Sequence, residues 1–150
     1  MERTLIIIKP EGIQRGLIGQ VMTRLEQRGL KLIGLKMMHI SPELAERHYA
    51  VHKGKPFFHG LVKHITSSPV VVGVVEGPKA ISVVRTTMGA TNACEAVPGT
   101  LRGDYALEIG FNLIHGSDGP ETATAEINIF FRPEELVEYT LATQAWIYEG

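Results

Sequence analysis

Thr4-Leu-Ile-Ile-Ile-Lys9-Pro-Glu-Gly-Ile-Gln-Arg-Gly-Leu-Ile-Gly19 changes character within a few residues. Leu5–Ile8 is a continuous apolar run rich in β-branched side chains, stopped by Pro10 and Gly12, and it reads as a buried strand. Beyond the turn, Leu17, Val21 and Leu25 recur at helical spacing with Ile18 and Met22 beside them, while Gln20, Thr23, Arg24 and Gln27 take the other side. Gly29 is placed to end that helix. The chain therefore opens as strand, turn and amphipathic helix.

Working outward, Leu30–Ile40 is extended and mostly apolar, and Ser41-Pro42 supplies an N-cap and a first-turn proline for a helix expected to reach about Val51. Pro56 is expected to start another, with Phe57, Leu61 and Ile65 on one stripe. Val70–Val75 is the clearest strand, and Gly77-Pro78 opens a helix through about Thr87 with Ile81 and Val84 facing inward. From Thr86 to Gly103 no period is sustained. Unpatterned connections of this length are uncommon and often functional, so this loop is a candidate site. A last strand is expected within Tyr105–Ile114, then a turn over 115–120, a helix begun by Pro120 and a break at Arg132-Pro133. No linker or repeat divides the chain, so residues 1–150 are expected to form one domain.

Across 150 residues, 44% hydrophobic and 21% charged composition is ordinary for a globular domain and argues against a disordered or fibrous chain. Cys94 is the only cysteine, which excludes an internal disulfide and fits a reducing cytosol. Lys9 interrupts the first apolar run before it could serve as an export signal, and no apolar stretch approaches a membrane span. The net charge of −1 draws no nucleic acid. Residues 1–75 nevertheless carry eleven Lys+Arg against five Asp+Glu, and residues 76–150 carry four against eleven. An anion site in the second half would have to use Lys79, Arg85, Arg102 or Arg132.

Several chemistries are excluded by absence. There is no P-loop motif, no pair of glycines two apart as a Rossmann fingerprint requires, and no protein-kinase signature. Five of the six histidines fall within Met38–His64. His48 and His52 stand at i, i+4, but no third ligand follows at diagnostic spacing, so no metal site is expected there. His115 has a different setting, at the end of an expected strand before a proline-started helix whose free N–H groups favour negative charge. An imidazole there can act as a nucleophile toward phosphorus if one ring nitrogen is bare and the other is held by an acceptor. Glu126 supplies that acceptor if the following helix folds back. A turn histidine without a role is the competing reading.

Asn112-Leu-Ile-His115-Gly-Ser-Asp118 resembles the active-site signature of nucleoside diphosphate kinases. The likeness extends through Thr4–Gly19, Lys55-Pro-Phe57-Phe58, Glu76-Gly-Pro, Arg85 to Thr91-Asn92, Pro98-Gly-Thr-Leu-Arg102-Gly-Asp104 and Trp146-Ile-Tyr-Glu149, nearly the whole chain. The resemblance implies an α+β, ferredoxin-like βαββαβ domain, with a four-stranded antiparallel sheet covered by helices. It also implies ping-pong transfer of the γ-phosphoryl of a nucleoside triphosphate, mainly ATP, through a phosphohistidine at His115 to nucleoside diphosphates, balancing the nucleotide pools. Gly119 and Ala93 depart from residues common in the family without removing a chemical group.

Carried over position by position, the resemblance gives Lys9 a contact with the transferring phosphoryl, Tyr49 an orienting place near Lys9 and His115, and Arg85, Thr91 and Arg102 the phosphates. Asn112 would bond the ribose and phosphate side, and Phe57 and Leu61 would sandwich the base, with simple core packing as the alternative for both. Ser117 and Glu126 would set the imidazole. Mg²⁺ is expected on the nucleotide, with Asp118 supporting it through water and no protein metal cage. A cytoplasmic homo-oligomer is implied, a hexamer in preference to a tetramer on the Trp146–Glu149 ending. The rivals are a catalytically silent binding module and a histidine-rich metal carrier; neither would need Lys9, Arg85, Arg102, Asn112 and His115 together.

Overall fold

In the computed structural model, which describes residues 1–150, the opening run forms β1 (Glu2–Ile8) and buries every side chain from Thr4 to Ile8. Successive strand residues point to opposite faces, so a run this apolar must be covered on both. Ile6 and Ile8 join one core, with Val21 and Leu25 of α2 (Ile18–Gln27) and Val84 and Met88 of α5 (Ala80–Met88). Leu5 and Ile7 join the other, with Ala45 of α3 (Pro42–His48), Ile65 of α4 (Phe58–Ile65) and Ile127 and Phe130 of α7 (Pro120–Phe130). Each isoleucine so buried contributes about 1.5–3 kcal/mol.

The sheet has the order β2-β3-β1-β4, with β2 Lys31–Met38, β3 Val70–Gly77 and β4 Ile114–Gly116, and every pairing is antiparallel. The α+β, four-stranded arrangement implied by the resemblance is thus observed. Ile7 stands opposite both Val72 and His115. That register turns His115 toward the face covered by α3 and α7.

Gly29, at φ +103°, ends α2 as the sequence indicates, and the Ser41 hydroxyl caps α3 through the Leu44 N–H. Four local expectations need correction. The last strand is Ile114–Gly116, not a run within Tyr105–Ile114, because the preceding residues fold as α6 (Leu101–Tyr105) and a single 3-10 turn, Ile109–Phe111. The helix from Pro42 stops at His48 and continues only as a separate turn, Ala50–His52. The unpatterned stretch is shorter than Thr86–Gly103, since α5 reaches Met88 and α6 begins at Leu101, with a 3-10 turn at Ala93–Glu95 between them. On α4 the core side chains are Phe58 and Ile65, backed by Val62, whereas Phe57 is 50% exposed and Leu61 half-buried. A further short helix, α1 (Pro10–Gln14), follows β1 directly.

Candidate active site

His115 presents its ring from the middle of β4, half-buried. Its Nε2 lies 2.9 Å from Glu126 Oε1, so the helix begun by Pro120 does fold back as the acceptor requires. The carboxylate is an acceptor only, which puts the imidazole proton on Nε2 and leaves the Nδ1 lone pair bare. Ser117, fully buried, donates its hydroxyl to the same Glu126 oxygen at 2.7 Å and accepts the Leu5 N–H at 3.3 Å. Burial pushes the Glu126 carboxyl up, but the His115 bond and charge and the Ser117 hydroxyl outweigh it and hold the group below the ordinary carboxylate value.

Gly116, beside His115, lets α5 approach the strand. A Cβ there would meet Met88 Sδ at 2.6 Å and Val84 Cγ1 at 3.0 Å. The close approach brings Arg85 near enough for Nη1 to donate to the Gly116 carbonyl at 3.1 Å. Arg85, His115, Tyr49, Asp118, Glu126 and His48 together line an open hollow of about 180 Å³. Pockets that enclose whole small ligands run to about 300–1,000 Å³. This hollow accepts a phosphate-sized group and leaves the remainder of a larger ligand on the open surface.

Lys9 directly follows β1, and its Nζ donates to Asn112 Oδ1 at 2.7 Å. Asn112, buried, spends its amide nitrogen on the Thr91 carbonyl at 2.9 Å. Arg102 is 3% exposed, and all three of its nitrogens donate to backbone oxygens: Nε to Asn112 at 3.1 Å, Nη1 to Gly89 at 3.0 Å and Nη2 to Ile114 at 2.7 Å. The molecule's arginine and lysine ion pairs are made by Arg3, Arg24, Lys31, Lys36 and Arg132. Lys9, Arg85 and Arg102 join none of them. Burial drops the Lys9 ammonium to about 8, with Glu11 opposing and Arg102 adding to the fall. Burial and the neighbouring Arg85 lower Arg102 to about 10. Three cations without carboxylate partners, two of them lowered by burial and by a neighbouring cation, give this side of His115 a chemistry suited to an anion.

Leu113 carries φ +77°, unusual for a side chain branched beyond Cβ, and sits between Asn112 and β4. Its carbonyl accepts the Lys9 N–H at 2.9 Å and its N–H donates to Glu11 Oε2 at 3.0 Å. The turn after β1 therefore holds the left-handed residue in place.

The structure brings His115, Glu126, Arg85, Tyr49 and Asp118 to one hollow with Ser117 buried behind Glu126, and links Lys9, Asn112 and the Thr91 carbonyl in a chain of hydrogen bonds. Burial raises the Tyr49 phenol to about 12, with the Glu11 and Glu126 charges adding to it. The Thr91 side chain is exposed. Phe57 does not line the hollow itself but packs on His52, which does, their rings 5.2 Å apart with the Lys55 Nζ 5.8 Å above Phe57, an exposed aromatic and not a core residue. His48 is the residue sequence reasoning missed as a neighbour of His115: their ring centroids are 4.8 Å apart. The histidine cluster was visible in the sequence, but nothing in its spacing says which ring turns inward.

A family model described as nucleoside diphosphate kinase matches residues 2–136. The nucleoside diphosphate kinase of Thermomicrobium roseum is 62% identical over 147 residues, covering 98% of this chain and 99% of its own length. That of Roseiflexus castenholzii is 60% identical over 149 residues, covering 99% and 100%. Among solved structures, a halophilic nucleoside diphosphate kinase from Halobacterium salinarum in complex with CDP superposes with a TM-score of 0.97 at 53% identity, over 99% of both chains. A transition-state mimic of the Borrelia burgdorferi nucleoside-diphosphate kinase, with bound vanadate and ADP, gives 0.91 at 38% identity over 97% of this chain and 95% of that one.

Proposed function

Because the chain belongs to the nucleoside diphosphate kinase family, which exchanges a phosphoryl group between nucleoside tri- and diphosphates, we propose that His115 carries that group in two in-line steps. In the first, the bare Nδ1 attacks the γ-phosphorus, the P–N bond forms as the bond to the bridging oxygen breaks, and the diphosphate leaves. In the second, a terminal oxygen of another diphosphate attacks and the P–N bond breaks. Nε2 keeps its proton throughout, and the Glu126 carboxylate balances the positive charge of the phosphorylated ring. Ser117 holds Glu126.

The observation that carries this reading is the trio Lys9, Arg85 and Arg102, cationic and unpaired, gathered behind a histidine with one free nitrogen. Phosphate oxygens supply the charge that the trio lacks, and they gather more of it in the transition state. Tyr49 orients the group near His115. Asn112 and Thr91 meet the ribose and phosphate side, with Asn112 exchanging its bond to Lys9 for the substrate, while half-exposed Phe57 and Leu61 flank the base. Flanking without edge-specific bonds accepts any base. The CDP and ADP bound by the relatives agree with nucleotides as ligands.

Asp118 is an exposed carboxylate on the hollow's wall, and the other one there, Glu126, is already engaged. One free carboxylate fits Mg²⁺ that keeps waters and substrate oxygens, and does not make a cage. Bound with the nucleotide, Mg²⁺ neutralises phosphate charge. No helix is long and apolar enough to cross a membrane. We read residues 1–150 as one cytoplasmic domain that works in a homo-oligomer, a hexamer in preference to a tetramer, with exposed Trp146, Leu107 and Ile109 supporting assembly and no nucleic-acid partner implied.

Incubation with γ-labelled ATP and magnesium is expected to place acid-labile label on the protein that GDP or CDP discharges. His115→Gln is expected to take no label. Acid-stable label, or label that survives this substitution, refutes the reading.

A further inference from the structure

His48 has no part in the transfer just described, yet it faces His115. Its side chain is 2% exposed, and neither ring nitrogen has a hydrogen-bond partner. A buried polar atom left bare costs about 1–3 kcal/mol. Native proteins keep few such atoms, and a bound ion is one of the things that explains them. The ring stands edge-on to His115 at 86°, and its Nδ1 is 3.7 Å from Glu126 Oε2, the oxygen that His115 and Ser117 do not use. One donor atom from each of His48, His115 and Glu126 lies within 4.8 Å of the others.

We propose that His48, His115 and Glu126 bind a divalent transition-metal ion of the Zn²⁺ type when the nucleotide is absent, and that this ion silences His115. Two imidazoles and a carboxylate are donors suited to Zn²⁺, Ni²⁺ or Cu²⁺, and unsuited to Mg²⁺, which takes hard oxygens. Bonds of about 2.0–2.2 Å set tetrahedral donors roughly 3.3 Å apart. The three donor atoms, within 4.8 Å of one another, must draw together to reach that spacing. Water from the open hollow fills the fourth position. His115 changes tautomer through solvent, losing the Nε2 proton and taking one on Nδ1, so that the freed Nε2 lone pair goes to the metal, and Glu126 exchanges the proton's hydrogen bond for a metal bond. With the metal on Nε2 and the proton on Nδ1, the ring keeps no free lone pair for an attack on phosphorus. Metal binding requires only these three side chains, whereas its effect on turnover rests on His115 being the phosphoacceptor.

The test uses nucleotide-free full-length protein and Co²⁺ as a spectroscopic stand-in. One Co²⁺ per chain with the intense visible bands of a four-coordinate ion is expected, displaced by Zn²⁺. His48→Phe is expected to abolish the bands, while His59→Gln, on the exposed side of α4, keeps them. If His48→Phe does not fold, Glu126→Gln reports the same site by at least a tenfold loss of Co²⁺ affinity. Zn²⁺ at one equivalent is expected to slow labelling by γ-labelled ATP at least tenfold. Absent four-coordinate bands, or bands that persist in the folded His48 or Glu126 variant, overturn the proposal. Bands that behave as expected on a protein that takes no label uphold the metal site and sink the phosphohistidine reading instead.

Discussion

Two histidine–carboxylate pairs stand in this molecule with nearly the same geometry. His115 meets Glu126 at 2.9 Å and His64 meets Glu11 at 2.8 Å; the rings are 22% and 23% exposed and both carboxylates 8%. Both carboxyls are pushed up by burial, and their histidines together with the other donors that reach them hold both below the ordinary value. What separates them is where the remaining atoms point. Glu11 gives its second oxygen to the N–H of left-handed Leu113, and His64 packs edge-on against Phe111, so that pair fastens a turn. Glu126 takes a serine hydroxyl, and its histidine opens onto a hollow shared with Arg85 and Asp118. A pair is chemistry or carpentry according to its surroundings, and its own distance does not tell which.

Matched substitutions break the comparison most sharply. Glu126→Gln removes the charge proposed to steady the phosphorylated ring and is expected to lower kcat by about 10²-fold or more. Glu11→Gln is expected to keep kcat within about tenfold while costing about 1–3 kcal/mol of stability, since a buried N–H and a histidine lose a charged partner. Steady-state kinetics beside urea unfolding of both variants decides this. Equal rate losses would erase the distinction.

Lys9 feels the second of these pairs directly, because the Glu11 charge opposes the loss of its proton while Arg102 promotes it. With its ammonium down at about 8, the free enzyme sheds this cation as the pH passes that value. KM for the nucleotide is therefore expected to climb above pH 8, by up to tenfold per pH unit, while Lys9→Arg flattens the rise. A KM that stays level to pH 9.5 in the unaltered protein contradicts the phosphate contact assigned to Lys9.

The smallest expected effect is on acid stability. Glu11 is held below its ordinary value of 4.5 in the folded chain, so its contribution is fully present above that pH and is lost as the pH falls through the lower folded value. Glu11→Gln is weaker at neutral pH, and its stability is expected to decline less steeply than that of the parent below about pH 4.5. Urea midpoints taken from pH 6 to 3 measure the slope.

Much of this fold is legible in the sequence. The run Leu5–Ile8 shows as a strand because both faces of the sheet are covered, so no polar alternation interrupts it. Gly29 and Ser41-Pro42 punctuate by local chemistry that acts wherever the chain goes. β4 was misplaced because three residues are too few to carry a period, and α1 and α6 are equally short. Phe57 and Leu61 share helical spacing with Ile65, but Phe58 is the side chain that turns inward, a choice made by the tertiary approach angle. At the site, Glu126 could be nominated because the expected helix had only to fold back. The burial of Arg102 and the inward turn of His48 depend on partners far along the chain, which no local pattern announces.

Arg102 ties together the carbonyls of Gly89, Asn112 and Ile114, and with them the end of a helix, the far side of a loop and an edge strand. A guanidinium has five N–H groups, so this rivet still has donors to offer a visiting anion. On the proposed reading, attraction for the ligand and order in the connection between α5 and α6 hang on a single side chain, and neither property can be inherited or engineered at that position without the other.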